Sequence, residues 1–371
     1  MTHNLDKEYY KNDIEFEGQD TLELTAMPNQ VNMDTRIRTS RESMSIFDLI
    51  HKIKREIIIS RPDFQGFFIW NENDCSELIE SILLSIPIPI IYLFENEEGQ
   101  WQVIDGLNRI TAIENYYFGN MKLKGLTLLP ELNGMYFHDI PKYLQAKFED
   151  YVLNTYIIQP PTPEAVKFII FERINRGGQL RNKQEIRHAL YQGKVTALLE
   201  CLVNTKEFKL ATGGRVNTTR MKDRYLVLRF ISFYLLKTNK LTDIEYHSDM
   251  DSFLAFVMRF INNKASENLL EEIKSIFINS MRKIYEILGD NAFRFSPKDS
   301  GNLRAVNMGL FEMLTFAFSI MDMSKVHFKD VVKIVNDYKE RIDKENTLTG
   351  NIDSKKTVDI RFDIAFKIAK G

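Results

Sequence analysis

The sequence predicts an α+β protein in which a front unit of mixed strands and helices precedes a mostly α-helical region. Three observations predict it. Apolar residues recur at helical spacing in Ile46, Leu49, Ile50 and Ile53, and again in Cys75, Leu78, Ile79, Ile82, Leu83 and Ile86. Two short apolar runs, Ile90 to Phe94 and Trp101 to Ile104, flank the turn-forming stretch Asn96 to Gly99. From Pro141 onward the periodicity is mostly helical.

Each element has a local reason. Ser45 with Asp48 forms a capping pair for the first helix. Ile57 to Ile59 is a short β-branched run, and the Arg61-Pro62-Asp63-Phe64-Gln65 stretch after it contains a proline that forbids simple helix continuation. Asp74 and Glu77 open the second helix, and Pro87-Ile88-Pro89 ends it. The strand that feeds Asp105 then breaks at Gly106, and Ile110, Ile113, Tyr116 and Tyr117 begin a third helix. Thr162 and Pro163 start a helix that runs to Ile174, where Asn175-Arg176-Gly177-Gly178 stops it. Asn182 and Glu185 cap the next one, which ends near Gly193. Further helices are expected near 195–205, 221–237, 250–262, 266–288, 303–322, 328–342 and 357–369. The last carries Val358, Phe362, Ala365, Phe366 and Ala369 on one face.

At 371 residues the chain is long enough for two domains. The expected division is a polar N-terminal arm over 1–44, an α+β domain over 45–160 and a helical domain over 161–371. A net charge of −2 excludes a surface coated in basic residues, though not a local basic groove. Two cysteines, Cys75 and Cys201, suit a reducing cytoplasm and read as buried apolar residues. The apolar stretch Ile82 to Phe94 is broken by Ser85, Pro87 and Pro89, so no membrane helix is expected, and no secretion signal opens the chain. The expected location is cytoplasmic.

The most informative stretch is Asp105-Gly106-Leu107-Asn108-Arg109. A strand that stops at Asp-Gly and restarts as a helix leaves N–H groups free at the helix start. With the positive dipole end and an arginine in the first turn, they make a phosphate seat, which Gly106 would let a ligand approach closely. The same residues also read as an ordinary turn with a capping aspartate and a surface arginine. A second loop, Asn175-Arg176-Gly177-Gly178, reads either as a lid over that seat or as a plain helix connection. Arg215, Arg220, Lys222, Arg224 and Arg229, opposed only by Asp223, read as a nucleic-acid or triphosphate contact or as a solvated helix face. His188 reads as a packing or surface residue. No Gly-x-x-x-x-Gly-Lys phosphate loop is present.

Several of these segments occur together, in order, in one family. Arg61-Pro62-Asp63-Phe64-Gln65 with Trp70, the helix ending in Pro87-Ile88-Pro89, Asp105-Gly106-x-x-Arg109, and Phe171 to Asn175 with Gly177 and Gly178 make the chain resemble the GmrSD restriction-endonuclease N-terminal domain (domain of unknown function 262). The resemblance covers about residues 45 to 195. It implies a core like that of ParB and sulfiredoxin followed by helices, and a nucleotide-binding, often nucleotide-hydrolysing, role in systems that attack foreign or modified DNA. Carried over, Arg109 would bind phosphate, with Gly106 and Asn108 beside it. Asp105 would orient a metal-bound or attacking water, or position Arg109. Gln65, Asn175 and Arg176 would face the same ligand, a nucleoside triphosphate with Mg2+.

Two positions depart from the family pattern. Gly66 replaces the usual arginine after the glutamine, and Leu107 and Asn108 replace two glutamines. Both departures weaken the case for hydrolysis more than that for binding, because hydrolysis needs an aligned water as well. Many relatives continue into a His-Asn-His nuclease, which the six histidines here do not form. The expectation is therefore a nucleotide-binding subunit of a restriction-type or anti-phage system, with cutting residues on a separate nuclease subunit. The alternative is a non-enzymatic DNA-binding or scaffold module that recruits a partner nuclease, with Arg215, Arg220, Lys222 and Arg224 contacting the nucleic acid. Direct nicking by the front domain ranks last, and self-association into a homo-oligomer stays open.

Overall fold

The computed structural model describes residues 14–15, 38–59, 70–96, 99–162, 164–174, 182–216, 218–297, 303–324, 326–347 and 352–370. The chain forms two compact units, one over 28–181 and one over 182–371 together with 1–27. The expected Gln65 and its loop, and Asn175, Arg176, Gly177 and Gly178, lie outside the described residues. A two-residue strand, β1 (Ile14–Glu15), belongs to the second unit.

The first unit runs β2 (Arg38–Ser45), α1 (Ile46–Lys54), β3 (Ile58–Ile59), α2 (Glu72–Leu83), β4 (Ile91–Glu95), β5 (Trp101–Asp105), α3 (Leu107–Tyr117), α4 (Lys142–Glu149), β6 (Val152–Gln159) and α5 (Glu164–Ile174). Its sheet has the order β2-β6-β4-β5-β3. The β2/β6 and β4/β5 pairs are antiparallel, while β6/β4 and β5/β3 are parallel. One face carries Leu93, Leu153 and Ile157 into a core with Leu49 and Ile50 of α1, Ile79 and Ile82 of α2, Ile110 and Ile113 of α3 and Phe148 of α4. Tyr116 closes that core with edge-on contacts to Phe137 and Phe148 at 5.8 and 5.6 Å. α5 packs against β5.

Capping explains the helix starts. Ser45 Oγ accepts the Asp48 N–H at 3.0 Å, and the Asp48 carboxylate accepts the Ser45 N–H at 3.4 Å. α2 opens earlier than expected: Asn71 is its cap, accepting from Asn73 and Asp74 at 2.8 and 3.0 Å, and Asp74 is the third helical residue, returning the bond.

Two strands depart from the sequence reading. β6 lies in the region expected to be mostly helical, yet Val152-Leu-Asn-Thr-Tyr-Ile-Ile-Gln buries alternate residues on the helix-covered face, the signature of a strand. β2 falls largely within the expected 1–44 arm. It pairs along its whole length with β6, from Arg38 with Gln159 to Ser45 with Val152. Its sequence, Arg-Thr-Ser-Arg-Glu-Ser-Met-Ser, buries only Met44, which suits a charged edge strand. The sheet therefore begins at 38, and α5 groups with it in the compact unit over 28–181.

The second unit contains α6 (Lys183–Leu190), α7 (Lys194–Val203), α8 (Lys206–Ala211), α9 (Lys222–Lys237), α10 (Met250–Asn263), α11 (Glu267–Leu288), β7 (Val306–Asn307), α12 (Met308–Ile320), α13 (Phe328–Glu345) and α14 (Lys355–Lys370). β7 pairs in parallel with β1. Asn182 and Glu185 cap α6 reciprocally. α12 is buried on all sides from Met308 to Phe318, as expected of a central helix. α14 buries Val358, Phe362 and Ala365 as expected. The remainder of its inner face is Arg361, Ile364 and Ile368, whereas Phe366 is 37% exposed. Cys75 is buried, but Cys201 is exposed, against expectation.

Candidate functional site

The Asp105–Arg109 turn follows from strand and helix meeting at one glycine. Gly106 has φ +100°, a left-handed conformation that L residues adopt only under strain. A Cβ there would stand 3.0 Å from Ile91 Cγ1 and 3.1 Å from Arg109 Nη2. Glycine is therefore demanded twice, by its backbone and by the guanidinium beside it. α3 begins with Gly106 as its cap and no side-chain cap hydrogen bond, so among the described residues the N–H groups of its first turn have no side-chain acceptor.

Arg109 does not stand open at this helix entrance. Its side chain is 9% exposed, with Nη2 donating to Asp105 Oδ2 at 2.7 Å and Nη1 donating to the Pro89 carbonyl at 2.7 Å. It thereby ties the end of β5 to the segment before β4. Asp105 is 35% exposed and keeps its second carboxylate oxygen free of hydrogen bonds among the described residues. Among the described residues, Asn108 Oδ1 is buried without a hydrogen-bond partner, as is Gln102 Oε1 three positions before Asp105. Buried acceptors left unpaired are costly, and both belong to the elements that build the turn.

The structure thus brings Asp105, Gly106, Asn108 and Arg109 together. A cleft of about 560 Å³, lined by Ser85, Pro87, Ile88, Lys147, Asp150, Tyr151, Val152 and Asn154, does not include any of them. Among the described residues no group of three or more His, Cys, Asp or Glu side chains is placed to hold a metal, so Asp105 has no partner ligands of that kind.

The basic residues of 215–229 differ in burial and partners. Arg229 is fully buried and ion-paired to Glu312 and Asp353. Arg224 pairs with Glu200 and Asp223. Arg220 lies 4.0 Å from Glu185, and Arg215 is exposed. The sequence showed one opposing carboxylate, Asp223, because Glu185, Glu200, Glu312 and Asp353 come from distant segments. His188 is fully buried within α6; burial, reinforced by the Arg224 guanidinium, pushes its pKa down to about 3.

Sequence reasoning missed a row of side chains across the sheet. Arg41 of β2 is paired in register with Tyr156 of β6, and Tyr156 with Tyr92 of β4; Tyr92 is paired with Asp105 of β5 at a register break between Tyr92 and Leu93. The two tyrosine rings stack at 5.8 Å with 14° between their planes, and the Arg41 guanidinium lies 5.7 Å from the Tyr156 ring centre. The tyrosines were visible, but two of the strands that align them were not.

Comparison with protein families places this architecture. Residues 46–192 match the family described as GmrSD restriction endonuclease, N-terminal domain, and this segment belongs to that family. A comparison with curated proteins finds no match. No helix among the described residues is long and apolar enough to cross a membrane.

Proposed function

We propose that the 46–192 domain binds a nucleoside triphosphate at the Asp105–Gly106 turn, as the nucleotide-dependent part of a restriction-type DNA defence system. The observation that carries this reading is the uncapped first turn of α3, opened by a left-handed glycine beside an arginine. Phosphate oxygens satisfy N–H groups at a helix entrance and favour its positive end. Arg109 already neutralises Asp105, so the carboxylate does not repel the incoming anion as a bare charge would.

Mg2+ fits this turn in a limited way. Asp105 supplies one uncommitted carboxylate oxygen, and Mg2+ commonly takes one or two carboxylates with phosphate oxygens and waters completing its shell. Hydrolysis is the further step of this proposal, with Asp105 the residue to orient a water. DNA is the target of the system, reached through a partner nuclease. For the alternative DNA-binding module, Arg215 and Arg220 are the exposed cations of that segment, whereas Arg224 is ion-paired to Glu200 and Asp223.

Calorimetry on the full chain with ATP, GTP, CTP and UTP, each with Mg2+, tests the reading. One of them is expected to bind at micromolar to sub-millimolar affinity, and Asp105→Asn is expected to reduce the Mg2+ dependence of that binding. Absence of heat with every nucleotide at millimolar concentration overturns it.

A further inference from the structure

We infer that the row Arg41–Tyr156–Tyr92 is a base-stacking wall, and that a nucleobase packs against Tyr92 while its phosphates reach the α3 entrance. This rests on the nucleotide reading above and names the part of the ligand that the turn alone leaves unread.

The row lies on the sheet face opposite the α1–α4 core. Ile91 and Leu93 beside Tyr92, and Thr155 and Ile157 beside Tyr156, are buried, with Ile91, Leu93 and Ile157 in that core; side chains alternate along a strand. Both tyrosines are half-buried and Arg41 is exposed. Arg41 has no carboxylate within ion-pair distance among the described residues, and its recorded contact is the Tyr156 ring. The stack is therefore ordered from one end: cation, ring, ring. At the other end Tyr92 is paired with Asp105, the residue that opens the turn, at a break in the β4/β5 register between Tyr92 and Leu93. A planar base added at that end extends a stack that is already aligned, at little ordering cost. The first N–H groups of α3 follow two residues after Asp105, past the Gly106 cap. Stacking is tolerant of base identity because every base has a π-face. The chemistry recognised is thus a nucleobase bearing phosphate, either as a free nucleotide or as a unit of single-stranded nucleic acid.

The test measures affinity on the full chain by calorimetry, with Mg2+, for three probes: the four nucleoside triphosphates, inorganic tripolyphosphate, and a single-stranded ten-nucleotide oligothymidine. In the unaltered protein, at least one base-bearing probe is expected to bind roughly ten- to a hundredfold more tightly than tripolyphosphate, the range that stacking on an aromatic side chain supplies. Tyr92→Ala is expected to remove that advantage while tripolyphosphate affinity holds within about twofold. Tyr92→Phe, which keeps the ring, is expected to retain it, and this variant separates stacking from a folding defect. A preference for the oligothymidine assigns the wall to nucleic acid; a preference for a triphosphate assigns it to the free nucleotide. Equal affinity for tripolyphosphate and every base-bearing probe, or an advantage that survives Tyr92→Ala, overturns this inference and leaves the phosphate seat standing. No binding of any probe overturns both readings.

Discussion

The guanidinium of Arg109 lies against Gly106, so close that a methyl group added to the glycine would meet Nη2 at 3.1 Å. Sequence proximity alone reads these two residues as a flexible turn and a surface charge. In the folded chain they form one unit, in which the missing side chain of the first makes room for the second.

Gly106→Ala tests that coupling. It imposes a left-handed φ of +100° on an L residue and crowds both Ile91 and Arg109. The expected loss is about 1–3 kcal/mol of unfolding free energy. Urea denaturation followed by circular dichroism reads it, and an unchanged midpoint contradicts the geometry.

Arg109→Lys keeps the charge but not the fork. An ammonium cannot hold the Pro89 carbonyl and the Asp105 carboxylate in the same planar arrangement. A loss of about 1–2 kcal/mol is expected, with the ionic share discounted because Asp105 is 35% exposed. In a double-mutant cycle with Asp105→Asn, the two changes should be strongly non-additive. Simple additivity would mean that the pair contributes nothing as a pair.

The helical unit holds a second test. Glu312 is fully buried between Arg229 and Arg361, whose Nη2 lies 2.7 Å from Glu312 Oε2, and Asp353 takes the other side of Arg229. Glu312→Gln leaves two buried guanidiniums facing one carboxylate, at an expected cost of about 3–5 kcal/mol. Arg361→Met should cost less, because Arg229 still meets both carboxylates. The order of the two chemical-denaturation midpoints decides the point.

Stability should depend on pH through His188. Burial, helped by Arg224, holds its pKa at about 3, below the ordinary value of 6.5. The unfolded chain therefore binds the proton first, and stability falls as pH drops below 6.5, by about 1.4 kcal/mol per unit from this group. His188→Gln should show a shallower decline between pH 6 and pH 4 than the unaltered protein. Parallel curves would place the imidazole in contact with water.

How much of this was legible in the sequence depended on whether the signal was local. The capping boxes at Ser45 and Asn182 were legible because both partners lie within three residues. So were β4, β5 and the Asp105–Gly106 break. β2 was hidden, since a charged edge strand buries one residue in eight and takes its order from β6. β6 itself was legible in principle, as alternate residues of Val152 to Gln159 point inward, but the helical run around it masked the period. At the site, the residues of the turn were evident. The inward aim of Arg109 was not, because its acceptor is the carbonyl of Pro89, a group every residue carries.

The sheet order has a consequence for the newborn chain. β6 sits between β2 and β4, although it is made after both, and the contact of Ser43 with Asn154 spans 111 residues. Until Gln159 has left the ribosome, β2 has no strand to join and β4 offers one bare side. The sheet thus stays open until late in this domain's synthesis, with α5 still to follow, and a nascent chain stalled before Val152 would present two unpaired ladders to whatever protein lies nearby.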